Sequence, residues 1–349
     1  MIKKIFFAAL IFSFAQILHA QTDTVKATTL LPNQDAEKMY NQGISDFANR
    51  NYNGAIGDFT QAVTLKPDFE KAYYNRGITK AETKDYKGAM DDYNKALILN
   101  ENDTNAYFSR AQVKDALNDK SAESDYSSVI RLNPKNAQAY YFRGEIKFQN
   151  ADYKGAVDDF TKAISNKPDY AYAYNDRGSA KRQLNDYTGA IADYNKALIV
   201  NPKMAFSFNN RGSAKRKAGD LDGAIQDYSS AISLKKDDYI AYNNRGSAKF
   251  DKGDYQGAID DFTKALSLNP EYAYAYNNRA SAKFKLKDYK GSVDDCNAAI
   301  QLNAKYGYAY LNRGIAKEML RDASGACQDW STAATLGVAA GKDYSQGCQ

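Results

Sequence analysis

The sequence predicts an all-α chain, a run of stacked helical hairpins forming one elongated solenoid. Three observations lead there. The stretch Tyr239–Tyr272 matches again when it is moved along the chain in steps of 34 residues, with further copies running on from Tyr172 and from Tyr274. A fixed period in this range marks a stacked-repeat architecture. Each half of the unit carries residues at helical spacing, and turn signals separate and end the halves.

In the first half, Tyr242, Arg245, Gly246 and Lys249 share a face at steps of three and four, which predicts one helix. Gly253-Asp254 interrupts it, and Asp254 is suited to cap the next helix by accepting from its first free amides. In the second half, Ala258, Asp261, Phe262 and Ala265 share a face until Asn269-Pro270 stops the helix. Gly246 and Ala258 are small where the two helices would cross, and Tyr242 and Phe262 are large beside that crossing. Such a hairpin has one apolar side that it cannot bury alone, so its neighbours must cover it.

An aromatic residue, then Gly, Ala, aromatic, Ala and Pro at these spacings resembles the tetratricopeptide repeat (TPR). Nine copies fit: 36–69, 70–103, 104–136, 137–170, 171–204, 205–238, 239–272, 273–306 and 307–340. The third is one residue short near Asp119-Lys120-Ser121, where the glycine of the Gly257 column is missing. The resemblance implies a right-handed superhelical solenoid of helix-turn-helix repeats with a C-terminal capping segment. It covers 36–340, leaving a lead-in and a tail at 341–349 that, with the residues just before it, is long enough for a short capping helix. The resemblance speaks to fold and says little of function.

The N-terminus predicts an address. Lys3-Lys4, the apolar run from Ile5 to Leu18, and Leu18-His19-Ala20 before Gln21 have the form of a secretory signal peptide over 1–20. The run is too short for a comfortable membrane span. Residues 21–35 then read as a flexible lead-in. The mature chain is therefore expected to be exported through this signal and to be periplasmic, secreted or loosely associated with the cell surface, with no integral membrane segment. His19 is the only histidine and falls in the segment to be removed, which excludes histidine general-base chemistry and histidine metal sites. The net charge of +5 includes Lys3 and Lys4, and the remainder is too small to argue for nucleic acid.

Two columns put charge on the packed side. One holds Arg76, Arg110, Arg143, Arg177, Arg211, Arg245, Arg279 and Arg313. The other is aspartate in all nine repeats: Asp58, Asp92, Asp125, Asp159, Asp193, Asp227, Asp261, Asp295 and Asp329. Both lie three or four residues from core positions, so they predict a ladder of partly buried ion pairs rather than a row of catalytic carboxylates. The pairing can run within a repeat or to the preceding one. Gln42, which replaces arginine in the repeat with nothing before it, favours the second.

An odd cysteine count in an exported chain points to one disulfide and one free thiol. Cys296 occupies the Phe262 column and reads as a core residue, which leaves Cys327 and Cys348 as the candidate pair. The sequence holds no phosphate-binding loop, nucleophile elbow, zinc-spaced cysteines or calcium loop. No stretch outside the repeats is long enough for a catalytic domain. No enzyme activity, cofactor or metal is expected.

In tetratricopeptide proteins the first helices line a concave groove that takes partners. Carried onto this chain, the resemblance implies contact columns containing Tyr172 and Tyr274, with Phe206, Ile240 and Tyr308 between and after them. Beside them run Asn175, Asn209, Asn243 and Asn277, and then Asn210, Asn244, Asn278 and Asn312, with Arg182 and Arg216 in the Phe250 column. Amides can donate to and accept from an extended peptide backbone, and the aromatics would anchor apolar side chains. The competing reading is that the amides bond across to neighbouring repeats. The carboxylate clamp that grips Hsp70- and Hsp90-type chaperone tails needs lysine in the Asn243 column and asparagine in the Ser247 column. This chain has neither, and only Lys71 in the Ile240 column, so that partner is disfavoured. The sequence thus predicts a scaffold for a protein or peptide partner, with a glycan- or peptidoglycan-binding module and a structural spacer in an envelope assembly as alternatives.

Overall fold

The computed structural model describes residues 31–348, which are helical apart from short turns. They divide into two compact units, the first ending at Ile146 and the second starting at Lys147. The first holds α1 (Leu31–Ala48), α2 (Tyr52–Leu65), α3 (Glu70–Glu82), α4 (Tyr86–Leu99), α5 (Thr104–Ala116), α6 (Ala122–Leu132) and most of α7 (Ala137–Gln149). The second holds the end of α7, then α8 (Tyr153–Asn166), α9 (Ala171–Gln183), α10 (Tyr187–Val200), α11 (Ala205–Lys217) and α12 (Leu221–Leu234). It continues with α13 (Tyr239–Lys252), α14 (Tyr255–Leu268), α15 (Ala273–Lys285), α16 (Tyr289–Leu302), α17 (Gly307–Met319), α18 (Ala323–Thr335) and α19 (Ala339–Ser345). Within the second unit α9, α11, α13, α15 and α17 are the first helices of successive hairpins, and each also touches the next.

Residues 1–30, with the signal-peptide reading and most of the lead-in, lie outside the described residues. The lead-in boundary is corrected: α1 starts at Leu31, inside the stretch expected to be flexible to residue 35. A proline near the start of that helix is no obstacle, because first-turn N–H groups have no intrahelical acceptor.

The turn between the helices of each hairpin ends on a left-handed residue. It is Gly219 or Gly253 in two repeats and a non-glycine in the other seven, among them Ala151 and Lys287. Asp254 then caps α14 by accepting from the Gly257 N–H at 2.9 Å. A Cβ at Gly257 would sit 2.2 Å from the Asp254 carboxylate, so the cap and the glycine require each other. Ser121 makes no side-chain cap in the short third repeat, and α6 is correspondingly shorter, at 11 residues. At the crossing, a Cβ on Gly246 would meet the Phe262 ring at 2.8 Å and the Ala258 carbonyl at 3.1 Å. Phe262, Ala258 and Ala265 are buried around that contact.

The charged columns form one repeated rung. Arg245 donates from Nε and Nη2 to the two oxygens of Asp261, at 2.9 and 2.6 Å. Lys249 binds the same carboxylate at 2.8 Å, and the guanidinium lies over the Tyr242 ring, 5.5 Å from its centroid. The fork to aspartate repeats at Arg76–Asp92, Arg110–Asp125, Arg177–Asp193, Arg211–Asp227, Arg279–Asp295 and Arg313–Asp329. Pairing is within the repeat, which corrects the expectation drawn from Gln42. What does cross to the preceding repeat is the remaining Nη1 donor, from Arg245 to Ser229 at 3.0 Å and from Arg279 to Thr263 at 3.1 Å. Gln42 has no preceding repeat for that donor to reach. Around the fourth repeat, Arg143 donates to Ser127 and Lys147 pairs with Asp159.

Asp58 is a second correction. Among the described residues it has no arginine rung, and it faces Asp46, which stands in the lysine column; burial first, and then Asp46, raise its pKa. The lysines, by contrast, join the ladder in every described repeat with an arginine: Lys80, Lys114, Lys147, Lys181, Lys215, Lys249, Lys283 and Lys317.

At the C-terminal end, α19 packs on α18, and Tyr344 stacks on Trp330 at 5.0 Å. This capping helix begins two residues before the predicted tail. Cys327 and Cys348 are joined across a sequence separation of 21, with their Cα atoms 5.6 Å apart. Cys296 is a free, buried thiol whose pKa burial pushes up to about 12.

Two outcomes follow from these contacts. Arg245→Ala leaves a 4%-exposed carboxylate with lysine alone and is expected to lower unfolding stability by about 2–4 kcal/mol, the scale for breaking a buried pair. The more exposed Arg216–Asp251 pair should lose less than about 1 kcal/mol on Arg216→Ala. Urea unfolding of both variants measures the contrast. Reducing Cys327–Cys348, or replacing Cys348 by Ser, should remove about 3 kcal/mol, the worth of closing a loop of this length. The same denaturation run with and without reductant reads it.

Candidate functional site

The candidate site is the face of the second unit made by α9, α11, α13, α15 and α17. Because the hairpins repeat with one register, a residue type in one column recurs on the same side of each first helix. Near the N-terminal ends of these helices stand Tyr172, Phe206, Ile240, Tyr274 and Tyr308, which are 38%, 42%, 40%, 54% and 59% exposed. Five consecutive repeats therefore hold a large apolar side chain in water at the same position. Tyr172 and Phe206 stack with their centroids 6.0 Å apart, and Tyr274 meets Tyr306 at 5.1 Å. Burial, followed by the neighbouring Tyr274, pushes the Tyr306 phenol up to about 12. It therefore stays protonated and able to donate.

The asparagines next to this row do two different things. Asn175, Asn243 and Asn277 are buried and turned into the repeat boundary. Asn244 donates to the Asn209 Oδ1 at 3.0 Å, Asn278 to Asn243 at 3.0 Å and Asn312 to Asn277 at 2.9 Å. The Asn175 Oδ1 accepts from both Ser207 and Asn210. One amide column thus locks each first helix to the next. The other, Asn210, Asn244, Asn278 and Asn312, is half-buried and donates to that lock, Asn312 to Ser281 as well as to Asn277. The carbonyls of Asn210, Asn244, Asn278 and Asn312 make no bond within the described residues. This divides the predicted contact set: the Asn243 column is internal, and the Asn244 column faces outward beside the aromatic row.

Serines along the same helices are turned inward. Ser179, Ser213, Ser247 and Ser281 donate to the carbonyl four residues before them. The two predicted arginines also differ. Arg216 pairs with Asp251 of the next repeat, whereas the Arg182 Nε is buried without an acceptor. Sequence reasoning placed Phe206, Ile240 and Tyr308 in the right column, while the exposure that distinguishes them comes only from the structure. Among the described residues no helix is long and apolar enough to cross a membrane. No group of His, Cys, Asp or Glu there could hold a metal ion.

Comparison with known proteins gives the following. A family model described as "Tetratricopeptide repeat" matches 70–103, 171–204 and 239–272. Others of that description match 120–171 and 273–306, and one described as "TPR repeat" matches 212–252. Together they span more than half of the chain. No curated protein matches it. Among solved structures, the C-terminal part of a TPR repeat-containing protein from Cytophaga hutchinsonii is 18% identical with a TM-score of 0.58, covering 68% of this chain and 98% of that one. The Cut9–Hcn1 hetero-tetramer of APC/C is 14% identical with a TM-score of 0.57, covering 97% and 81%. YrrB, described as a TPR protein with an unusual peptide-binding site, is 22% identical with a TM-score of 0.47, covering 52% and 95%. At these identities the likeness is one of fold alone.

The two kinds of residue on this face should separate in thermal or urea unfolding. Asn243→Ala strands the Asn278 amide and should cost about 1–2 kcal/mol. Tyr308→Ser, at an exposed position, should stay within about 0.5 kcal/mol of the native chain.

Proposed function

The chain belongs to the tetratricopeptide-repeat family, and we propose that it is a non-enzymatic scaffold holding an extended protein segment on the first-helix face of its second unit. The observation that carries this reading is the exposed row from Tyr172 to Tyr308 beside amides with spare carbonyls. Large apolar side chains held in water on a fixed face mark an interaction surface. Rigid aromatic anchors lose little entropy on binding. The Asn210, Asn244, Asn278 and Asn312 carbonyls would accept from backbone N–H groups, so recognition would depend as much on extended main chain as on side chains.

We place this activity outside the cytoplasm, in the cell envelope or beyond it. The signal-like N-terminus and the Cys327–Cys348 bond support that reading, because disulfides persist in oxidising compartments.

Affinity capture from an envelope extract tests the proposal, with the chain from Gln21 onward as one bait. A second bait carries Phe206→Ser and Tyr274→Ser. A protein retained by the first and reduced at least about tenfold on the second is the expected result. Equal retention on both baits would move the site to the second helices or the ends. Retention that is abolished by soluble glycan would replace the protein partner with a sugar.

A further inference from the structure

The first helices of the second unit carry seven arginines: Arg177, Arg182, Arg211, Arg216, Arg245, Arg279 and Arg313. Six are neutralised by a carboxylate. Arg182 has no carboxylate partner among the described residues, and its Nε N–H is buried with no acceptor. The register shows why. Arg216 reaches Asp251, 35 residues further along the chain, and the residue 35 beyond Arg182 is Lys217. A cation therefore stands where the neighbouring repeat supplies the anion. Lys217 is exposed and makes no ion pair among the described residues.

The charges gather in one place. Those of both Arg182 and Arg216 reach the Tyr228 phenol, and Arg182 also hydrogen-bonds the Tyr194 phenol. The C-terminal ends of α9 and α11 thus present Arg182, Arg216 and Lys217, of which Arg216 is paired with Asp251, while the Asp176 carboxylate, also on α9, reaches Tyr194. Tyr172 and Phe206 lie on the same two helices, ten residues before Arg182 and Arg216, or about 15 Å along the helix. One extended segment of a few residues spans that distance.

Building on the scaffold reading above, we propose that the segment held on this face is acidic at one point, with an aspartate or glutamate carboxylate docking on Arg182 while an apolar side chain packs on Tyr172 and Phe206. The half-buried Arg182 guanidinium carries a charge that no carboxylate among the described residues offsets, and a charge of this kind favours a carboxylate through charge-assisted hydrogen bonds. An amide of the same shape gains far less. Arg182 would therefore select partners, whereas the amide row grips them.

The test uses the full mature chain and synthetic peptides in which tyrosine and aspartate are separated by two to eight serines, in both orders, with asparagine in place of aspartate as the control. Fluorescence polarisation gives the affinities. At the best spacing the aspartate peptide should bind at least about tenfold more tightly than its asparagine control, and the gap should narrow as salt rises. Arg182→Gln should reduce the gap to less than about twofold. Phe206→Ser should weaken both peptides. If the native chain binds both peptides equally, the inference fails and the scaffold reading stands. If aspartate is preferred equally by Arg182→Gln, the carboxylate docks elsewhere and the inference also fails. A preference for a phosphoserine peptide with none for aspartate over asparagine would overturn it in favour of a phosphorylated partner. Binding of neither peptide would overturn both readings.

Discussion

The repeated rung of arginine, aspartate and lysine is the constraint on which the rest of the structure depends. Each aspartate that belongs to a rung, as Asp261 does, is nearly fully buried and accepts from two arginine N–H groups and a lysine ammonium. A buried carboxylate gains little over an apolar residue in net stability, but it is intolerant of losing a partner. It therefore fixes how the two helices of a hairpin cross. The spare arginine N–H then ties that hairpin to the side chain before it. Apolar contacts such as Gly246 against Phe262 supply close packing, and the rung supplies its direction. Hydrophobic pairing of helices alone would permit sliding.

Fixing the crossing sets what the first helices display. When successive hairpins share a register, each column becomes a line, and lines of like chemistry become surfaces. The Asn243 column turns into the boundary and ties α11 to α13 and α13 to α15, while the column one residue later faces out. The exposed row beginning at Tyr172 follows from the same register. A binding face built in this way is rigid before a partner arrives, which lowers the entropic cost of association.

Much of this was legible in the sequence, because a repeated period makes each column speak several times. The hairpin, its glycine crossing and the aspartate caps follow from spacing and residue size. The charged columns were visible too, but their pairing was not. The loss of arginine at Gln42 has two explanations, a missing aspartate or a missing Nη1 acceptor, and only coordinates separate them. The lysines sat in view at the Lys249 column as part of the same helical face. The division of labour between Asn243 and Asn244 could not be read, since neighbouring residues of one type differ only in the angle at which the next helix receives them. The missing carboxylate at Arg182 was hidden similarly: it follows from Lys217 standing at the register position that Asp251 holds for Arg216, a relation across two helices that no local pattern records. Seven non-glycine residues in the left-handed turn position leave no signal at all.

The most direct test of the account is photo-crosslinking in envelope extracts with a benzophenone amino acid placed at Tyr274, on the first-helix face, or at Ile199, exposed on a second helix. The account predicts that a protein partner is trapped through position 274 and not through position 199. Trapping through 199 alone, or equally through both, would contradict it.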